Sequence, residues 1–476
     1  MTTASGLRQP PAMNGNLYAR LAARFPADPG QTVIEARGRP AISYGALADG
    51  AGRLAALLKA KGVAPGDRVA VQSEKSPEGV MLYLAILKVG AVLLPLNTAY
   101  TKTEIDYFLA DAEPALFVTD AAALAAEAAG LAPSKTVHDV SPGDLAAIVY
   151  TSGTTGRSKG AMLSHGALEA NGLALTEAWG FRADDVLLHA LPIYHVHGLF
   201  IALNCVLFSG SRMIWLPKFD DAAVIDELPR ATVMMGVPTY YARLLANPRF
   251  TRQVAGSMRL FISGSAPLLP SVFDEFEARA GQRLLERYGM SEAAIITTNP
   301  LKGERLAGSV GYPLPGVALR VADDGVVQIK GPSVTTGYWR NPAKTAEAFT
   351  ADGYFITGDV GRQDPDGRLW LSGRVSDLII SGGLNVYPKE IELVLDELPG
   401  VVESAVIGLP HPDFGEAVAA VIAGEGEETA VIAAARAQLA AFKCPKRVFF
   451  VEGLPRNAMG KVLKAELRRR YTDTFS

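Results

Sequence analysis

Residues Ala147–His165 read AIVYTSGTTGRSKGAMLSH, and the reading of this stretch decides the fold. An apolar, β-branched strand (AIVY) runs into TSGTTGRS, where only Arg157 is neither Thr, Ser nor Gly. Glycines let successive backbone N–H groups turn toward one point, the hydroxyls add donors, and Lys159 adds a positive charge ahead of a helical pattern. That chemistry suits a polyphosphate. The Walker spacing fails, because five residues after Gly153 comes Ser158 where a Gly is required, and Lys159 follows it. The plain alternative is a flexible surface turn. So many hydroxyls and glycines directly after a buried strand favour phosphate.

Outward from this loop, amphipathic helical patterns alternate with short apolar runs. Ala46–Lys61 has helical spacing and meets Gly62; RVAVQ (Arg68–Gln72) reads as a strand, Glu78–Leu87 as a helix, and Ala91–Leu96 and Ala115–Thr119 as strands. Such alternation predicts α/β layers on largely parallel sheets. The most lipophilic stretch, Val80–Leu96, contains Lys88 and Gly90, meets Pro95 and is shorter than the ~20 residues of a membrane span. It reads as a buried helix passing into a buried strand. From about Gly373 the texture changes to a self-contained α+β pattern, with a helix opened by Pro388 and closed by Gly400, strands SAVIGL and AVAAVIA, a helix at Ala430–Ala441, strand VFFVE and a last helix after Gly460. The expected fold is therefore α/β: a large N-terminal domain of layered sheets and helices (1–374) plus a small mobile C-terminal α+β domain (377–476).

Composition narrows the function. The 476 residues carry 46 Lys and Arg against 49 Asp and Glu, a net −3, so no bulk field draws the chain to nucleic acid or anionic lipid. Cys205 and Cys444 are the only cysteines and lie far apart, which excludes a disulfide framework or a cysteine zinc site and suits a reducing cytoplasm. The polar N-terminus has no signal-peptide core. The expected protein is a cytoplasmic enzyme, monomer or homodimer.

YTSGTTGRSKG resembles the signature loop of the adenylate-forming superfamily, which includes acyl-CoA synthetases, aryl-CoA ligases, luciferases and peptide-synthetase adenylation domains. ERYGMSEA (Glu286–Ala293), YFITGDV (Tyr354–Val360), GRVSDLIISGG (Gly373–Gly383) and PRNAMGK (Pro455–Lys461) follow in family order. The likeness covers nearly the whole chain. It departs at Ser158, usually Pro, at Ser291, usually Thr, and at the pivot Ser376, usually Asp or Lys.

The resemblance implies roles for individual residues. Thr151, Ser152, Gly153, Thr154, Thr155, Gly156 and Lys159 would hold the ATP phosphates. Tyr288, Gly289 and Ser291 would face the nucleotide, with Tyr288 stacking on adenine. Asp359 would accept the ribose hydroxyls, and Arg374 would reach the ribose and phosphate end. Glu292, with Thr154, would hold Mg2+. Lys461 would bridge the acid's carboxylate and the α-phosphate as two anions react. Each has a plainer alternative: a turn Asp, a core Tyr, a solvated Glu or Lys. The implied chemistry is an acyl-adenylate followed by thiol attack from coenzyme A, with a domain swing about Ser376 bringing Gly382–Gly383 to the thiol's path. Arg468–Arg470 could meet CoA phosphates, though a solvated helix end accounts for them as well.

Three segments address the acid: LPIYHVHGLF (Leu191–Phe200), GVPTYYARLL (Gly236–Leu245) and FISGSAPLL (Phe261–Leu269). Two His and an Arg are out of place in a fatty acyl pocket, and an Arg fork fits a carboxylate. These segments also resemble malonyl-CoA synthetases. The expected substrate is malonate, with methylmalonate second, its distal carboxylate held by Arg243 beside His195, Ser263 and Ser265. His197 is read as packing or orienting, and His138, His165, His189 and His411 as structural or exposed. The alternatives are a short- or medium-chain fatty acyl-CoA synthetase with Arg243 in solvent, a non-catalytic adenylate sensor, which would lack Lys461 or Glu292, and a peptide-synthetase module, which would need a carrier domain after Ser476.

Overall fold

The computed structural model describes residues 14–151, 158–457 and 460–475. It has the expected α/β class, with a large N-terminal part and a small C-terminal one. Helix Pro77–Val89 shows how local sequence sets an element. Ser76 caps it by accepting from Gly79 N, Pro77 opens it, and Gly90 ends it at φ 76°. The strand Val92–Pro95 follows and is wholly buried, as the Val80–Leu96 reading predicts. Among the described residues no helix is long and apolar enough to cross a membrane.

A five-stranded sheet orders Leu116–Val118, Arg68–Val71, Val92–Pro95, Leu145–Thr151 and Lys159–Ser164. Its first four strands are parallel. The fifth corrects the sequence reading. Residues after the Gly/Thr loop do not begin a helix; Lys159–Ser164 returns antiparallel to Leu145–Thr151, pairing Thr151 with Lys159, and the helix starts only at His165. Gly160 permits the return, since a Cβ there would lie 2.7 Å from the Ile148 side chain. Among the described residues, the first helix after the Gly/Thr loop therefore begins beyond a full antiparallel strand.

A thirteen-stranded sheet forms the second layer. From Thr32–Ala36 through Arg212–Trp215, Val186–His189, Val233–Gly236 and Leu260–Ser263 to Leu285–Met290 its strands are parallel. Beyond Met290 every pairing is antiparallel, out to Ala318–Val321. The expectation of largely parallel sheets fails in this half. Met290 and Ala294 are register partners across a turn far too short for a crossover.

In the small C-terminal sheet, strand Gly415–Gly424 pairs antiparallel with Val401–His411 along one edge, and along the other with Ile379–Ser381 and the parallel Arg447–Val451. Gly382 (φ 59°) and Gly383 (φ 79°) turn the Ile379–Val386 hairpin, a two-residue turn that needs positive φ at both positions. The terminal loop rests on the large part. A Cβ at Gly460 would sit 3.1 Å from Thr239 Oγ1 on helix Pro238–Ala246.

Candidate active site

Strand Leu285–Met290 carries the site on its two faces, because neighbouring side chains point opposite ways. On one face, the buried Tyr288 donates its hydroxyl hydrogen bond to Asp359 Oδ2. Arg374 Nε approaches Asp359 Oδ1 at 2.9 Å; the two residues are register partners on adjacent strands. Burial, then the Asp359 charge, raises the Tyr288 phenol well above its ordinary value, so it stays a donor. Glu286 shares this face. Burial pushes its carboxyl up to about 8, Leu268 N donates to Oε1 at 3.4 Å, and Oε2 has no protein partner.

Glu292 is buried beside the base of the Gly/Thr hairpin. Its Oε1 accepts from Thr151 Oγ1 at 3.4 Å and Tyr338 OH at 3.2 Å, and burial raises its carboxyl. Lys159 Nζ lies 5.1 Å from the centre of the Tyr338 ring. Lys461 enters from the small domain. Its surroundings and then the Arg374 charge lower its ammonium, against the pull of Asp359 and Asp377. Asp359, Arg374, Tyr288, Glu292, Lys159 and Lys461 therefore gather at one cleft.

On the other face, Arg287 is 4% exposed and Gly264 leaves room for it; a Cβ at 264 would lie 2.5 Å from Nε. Its Nη2 donates to Ser265 Oγ at 3.4 Å, while Nε has no hydrogen-bond partner. Among the described residues no carboxylate pairs with it. Ser265 holds φ 74°, a left-handed conformation rare outside Gly. Its Oγ also lies 3.3 Å from His197 Nδ1. Ser265 Oγ and His197 Nδ1 share one hydrogen, and His197 Nε2 is buried and unpartnered. Ser263 Oγ, on the Glu286 face of the sheet, is also buried without a partner. His195 Nδ1 accepts from His197 N at 3.2 Å. Burial and then Arg287 hold both imidazoles neutral, His195 at about 4 and His197 well below its ordinary value. The guanidinium is pushed down to about 9 by burial and remains the cluster's cation at neutral pH. One fixed positive charge, flanked by neutral donors, is a receptor for one carboxylate.

Residues 21–339 match the AMP-binding enzyme family, and residues 390–461 match the AMP-binding enzyme C-terminal domain. The chain is an AMP-binding enzyme. It is similar to ATP-bound MatB from Rhodopseudomonas palustris, at 50% identity and TM-score 0.94 over 98% of this chain and 100% of that one. Against apo MatB from the same organism the TM-score is 0.81 at the same identity and coverage. A malonate–CoA ligase from Arabidopsis thaliana is 42% identical, covering 68% of this chain and 60% of its own. A mitochondrial malonate–CoA ligase from Xenopus laevis is 34% identical over 84% of this chain and 82% of its own.

One sequence expectation for this AMP-binding enzyme is corrected. Arg243 does not face the His195 cluster. Its side chain is 57% exposed, pairs with Asp221 at 3.2 Å and lies over the Phe219 ring, because helix Pro238–Ala246 turns Tyr241, Leu244 and Leu245 to the core and position 243 outward. His195 and Ser265 do cluster, around an arginine that the sequence reading passed over; Ser263 does not join them, because it is the register partner of Glu286 and its side chain lies on the opposite sheet face. The available signal was strand alternation: Glu286 and Arg287 are adjacent, so they occupy opposite faces and cannot neutralise each other. Ser152, Gly153, Thr154, Thr155 and Gly156 lie outside the described residues. Gly289 admits no side chain, since a Cβ would lie 2.0 Å from Ala294 O, and Ser291 stands in the turn before that residue. Gly382 and Gly383 are exposed at their hairpin turn, and Ser376 Oγ is buried without a partner. Arg468 pairs with Asp377 at 3.0 Å, which gives this member of the helix-end trio a structural partner.

Proposed function

We propose that this AMP-binding enzyme joins malonate to coenzyme A through an acyl-adenylate, releasing AMP and pyrophosphate, and accepts methylmalonate as a second acid. The observation that carries the reading is the buried Arg287 guanidinium without a carboxylate partner. A buried cation of this kind is costly unless an anion joins it. A fatty acyl chain would press methylene groups against that charge, whereas a diacid fills it with one carboxylate and keeps the other for reaction. The malonate–CoA ligases among its relatives support the same substrate.

Adenine would lie on the Tyr288 face, where Glu286 offers an unpartnered oxygen to the purine edge, with Asp359 and Arg374 on the ribose. Thr151, Lys159 and the Gly/Thr residues between them would hold the phosphates. Glu292 fits Mg2+, because a single carboxylate oxygen plus nucleotide phosphates is the ligand set this cation takes. When bound, the ion neutralises phosphate charge. The malonate carboxylate not held by Arg287 attacks the α-phosphorus; its oxygen–phosphorus bond forms as the bond to pyrophosphate breaks. Lys461 screens the two anions as they meet. The thiol sulfur of coenzyme A then attacks the acyl carbon, its proton passes to solvent, and AMP leaves with the former carboxylate oxygen. Residues 377–476 would swing about Ser376 between the halves, exchanging Lys461 for the Gly382–Gly383 turn.

Pyrophosphate release with malonate, methylmalonate, succinate, acetate and octanoate tests the assignment. Malonate is expected to give the highest kcat/KM and octanoate the lowest; equal turnover of octanoate and malonate overturns it.

A further inference from the structure

Behind the acid cluster lies a third histidine that takes no part in the proposed chemistry. His189 ends strand Val186–His189 and stacks on Trp215, ring centroids 5.0 Å apart. Lys75, in the loop before helix Pro77–Val89, brings Nζ to three acceptors: His189 Nδ1 at 3.0 Å, His189 O at 2.8 Å and Leu216 O at 2.6 Å. The same ammonium lies 4.3 Å from the centre of the Trp215 ring. Three acceptors match the three N–H bonds of an ammonium, and the ring face favours its charge. Burial holds this lysine's proton affinity well below its ordinary value, while the three acceptors and the indole face pull the other way.

An ammonium donating to Nδ1 fixes the His189 tautomer, so the hydrogen sits on Nε2. There it meets Gly198 O at 3.0 Å. The opposite tautomer would set a lone pair against that carbonyl. Gly198 is the second residue of a π-helix, His197–Leu203, a rare local winding that recurs at functional sites. It is tightly seated, since a Cβ there would lie 2.1 Å from Pro192 O. The residue before it is His197, whose Nε2 is buried and unpartnered in the acid cluster.

We propose that Lys75 and His189 are positioning residues for acid recognition: the lysine sets the His189 tautomer, His189 Nε2–H anchors Gly198 O, and this fixes the π-helix turn that aims His197 at the substrate's distal carboxylate. The inference rests on the diacid reading above. Neither residue touches the substrate. A π-helix in a buried segment has register alternatives, and a single directed bond at its first turn selects one of them.

The test compares His189→Phe, which keeps the ring on Trp215 but loses both hydrogen bonds, with His189→Gln, whose amide N–H can still reach Gly198 O, and adds Lys75→Met. Steady-state pyrophosphate release is measured with malonate, acetate and ATP varied in turn. In His189→Phe and Lys75→Met the malonate KM is expected to rise about tenfold and the malonate-over-acetate preference to shrink by a similar factor, with ATP KM within about twofold of wild type. His189→Gln recovers most of the loss. A merely structural role would move malonate, acetate and ATP together; that pattern, or a glutamine variant no better than phenylalanine, overturns the proposal. Should the variants fail to fold, 15N NMR of histidine-labelled wild-type protein decides: a hydrogen on Nε2 of His189 is expected, and one on Nδ1 overturns it. Failure of the diacid reading shows separately, as wild-type enzyme that does not prefer malonate.

Discussion

The outer flank of helix Pro238–Ala246 and the inner face of strand Leu285–Met290 each present an arginine, and the surroundings differ in every respect that bears on chemistry. Arg243 is more than half exposed and has Asp221 at 3.2 Å. Arg287 is buried, has neutral donors around it and, among the described residues, lacks a carboxylate. A surface pair of the first kind contributes ~0–1 kcal/mol and is screened by salt. A desolvated charge of the second kind lacks its counter-ion until a ligand supplies one. Availability for binding follows from burial without compensation, not from residue type.

Arg287→Ala has the largest expected effect. Truncating one partner of a buried, hydrogen-bonded charge pair costs about 2–5 kcal/mol, so kcat/KM for malonate should fall by about 100-fold or more while ATP KM holds. Arg287→Lys keeps the charge but loses the planar fork, and should recover only part. Full malonate activity in Arg287→Ala, measured by pyrophosphate release, would erase the contrast between the two arginines.

Gly264→Ala sharpens the contrast without touching a charge. The added Cβ would lie 2.5 Å from Arg287 Nε. Gly264 has no positive φ, so the backbone accepts alanine and the side chain of Arg287 must move. A shift of the fork by a few tenths of an ångström or more is expected to raise malonate KM about tenfold. Unchanged malonate KM would mean that the position of the guanidinium does not matter.

The two regions should also titrate differently. His195 is held at about 4 and His197 well below its ordinary value, so an unfolded chain, with histidines near ~6.5, binds more protons than the folded one in the interval between. Stability contributed by the neutral, buried imidazoles is therefore present above that window and lost as pH falls from about 6.5 toward 4. Asp221, near Arg243, is held below its usual value first by its bond from Asn247, and its contribution is lost only at lower pH, as the carboxylate itself protonates. The imidazole contribution to the urea midpoint should decline between pH 6.5 and 4, against the opposite trend of Glu286, whose raised carboxyl takes up a proton on folding. His197→Gln is expected to flatten that decline and Asp221→Asn to leave it in place; the reverse result would misassign the titrating region.

The same contrast marks how far sequence reasoning reached. The Gly/Thr loop, the motifs around Tyr288, Asp359 and Arg374, and helix Pro77–Val89 were legible, since each rests on local rules of spacing, capping and charge. The hairpin return at Lys159–Ser164 was not, because Gly160 packs against Ile148, a contact made across the sheet rather than along the chain. The antiparallel half beyond Met290 was hidden for a similar reason: strand direction depends on turn length between elements whose ends are only approximate in sequence. Arg243 looked suitable because it shares a segment with Gly236 and Tyr240. Helical periodicity turned it outward. Arg287 lay within the ERYGMSEA motif, which was read only for its nucleotide and metal residues; strand alternation, which sets it on the face opposite Tyr288, was the unused signal.

Arg243→Ala should show the smallest effect. The substitution removes a guanidinium whose side chain is 57% exposed, a 3.2 Å contact to Asp221 and a cation–ring approach of 5.0 Å to Phe219. Asp221 keeps its bond from Asn247 Nδ2 at 2.8 Å, so its carboxylate is not orphaned. Tyr240 stays stacked on Phe219, ring centroids 3.9 Å apart, so the helix retains its anchor there. The remaining loss is that of an exposed pair, within ~1 kcal/mol of stability and less at high salt. Malonate and ATP KM should both stay within about twofold of wild type. A selective rise in malonate KM would return the distal carboxylate to the surface arginine, and would require the helix to rotate by about 100°, carrying Tyr241 and Leu244 out of the core they now fill.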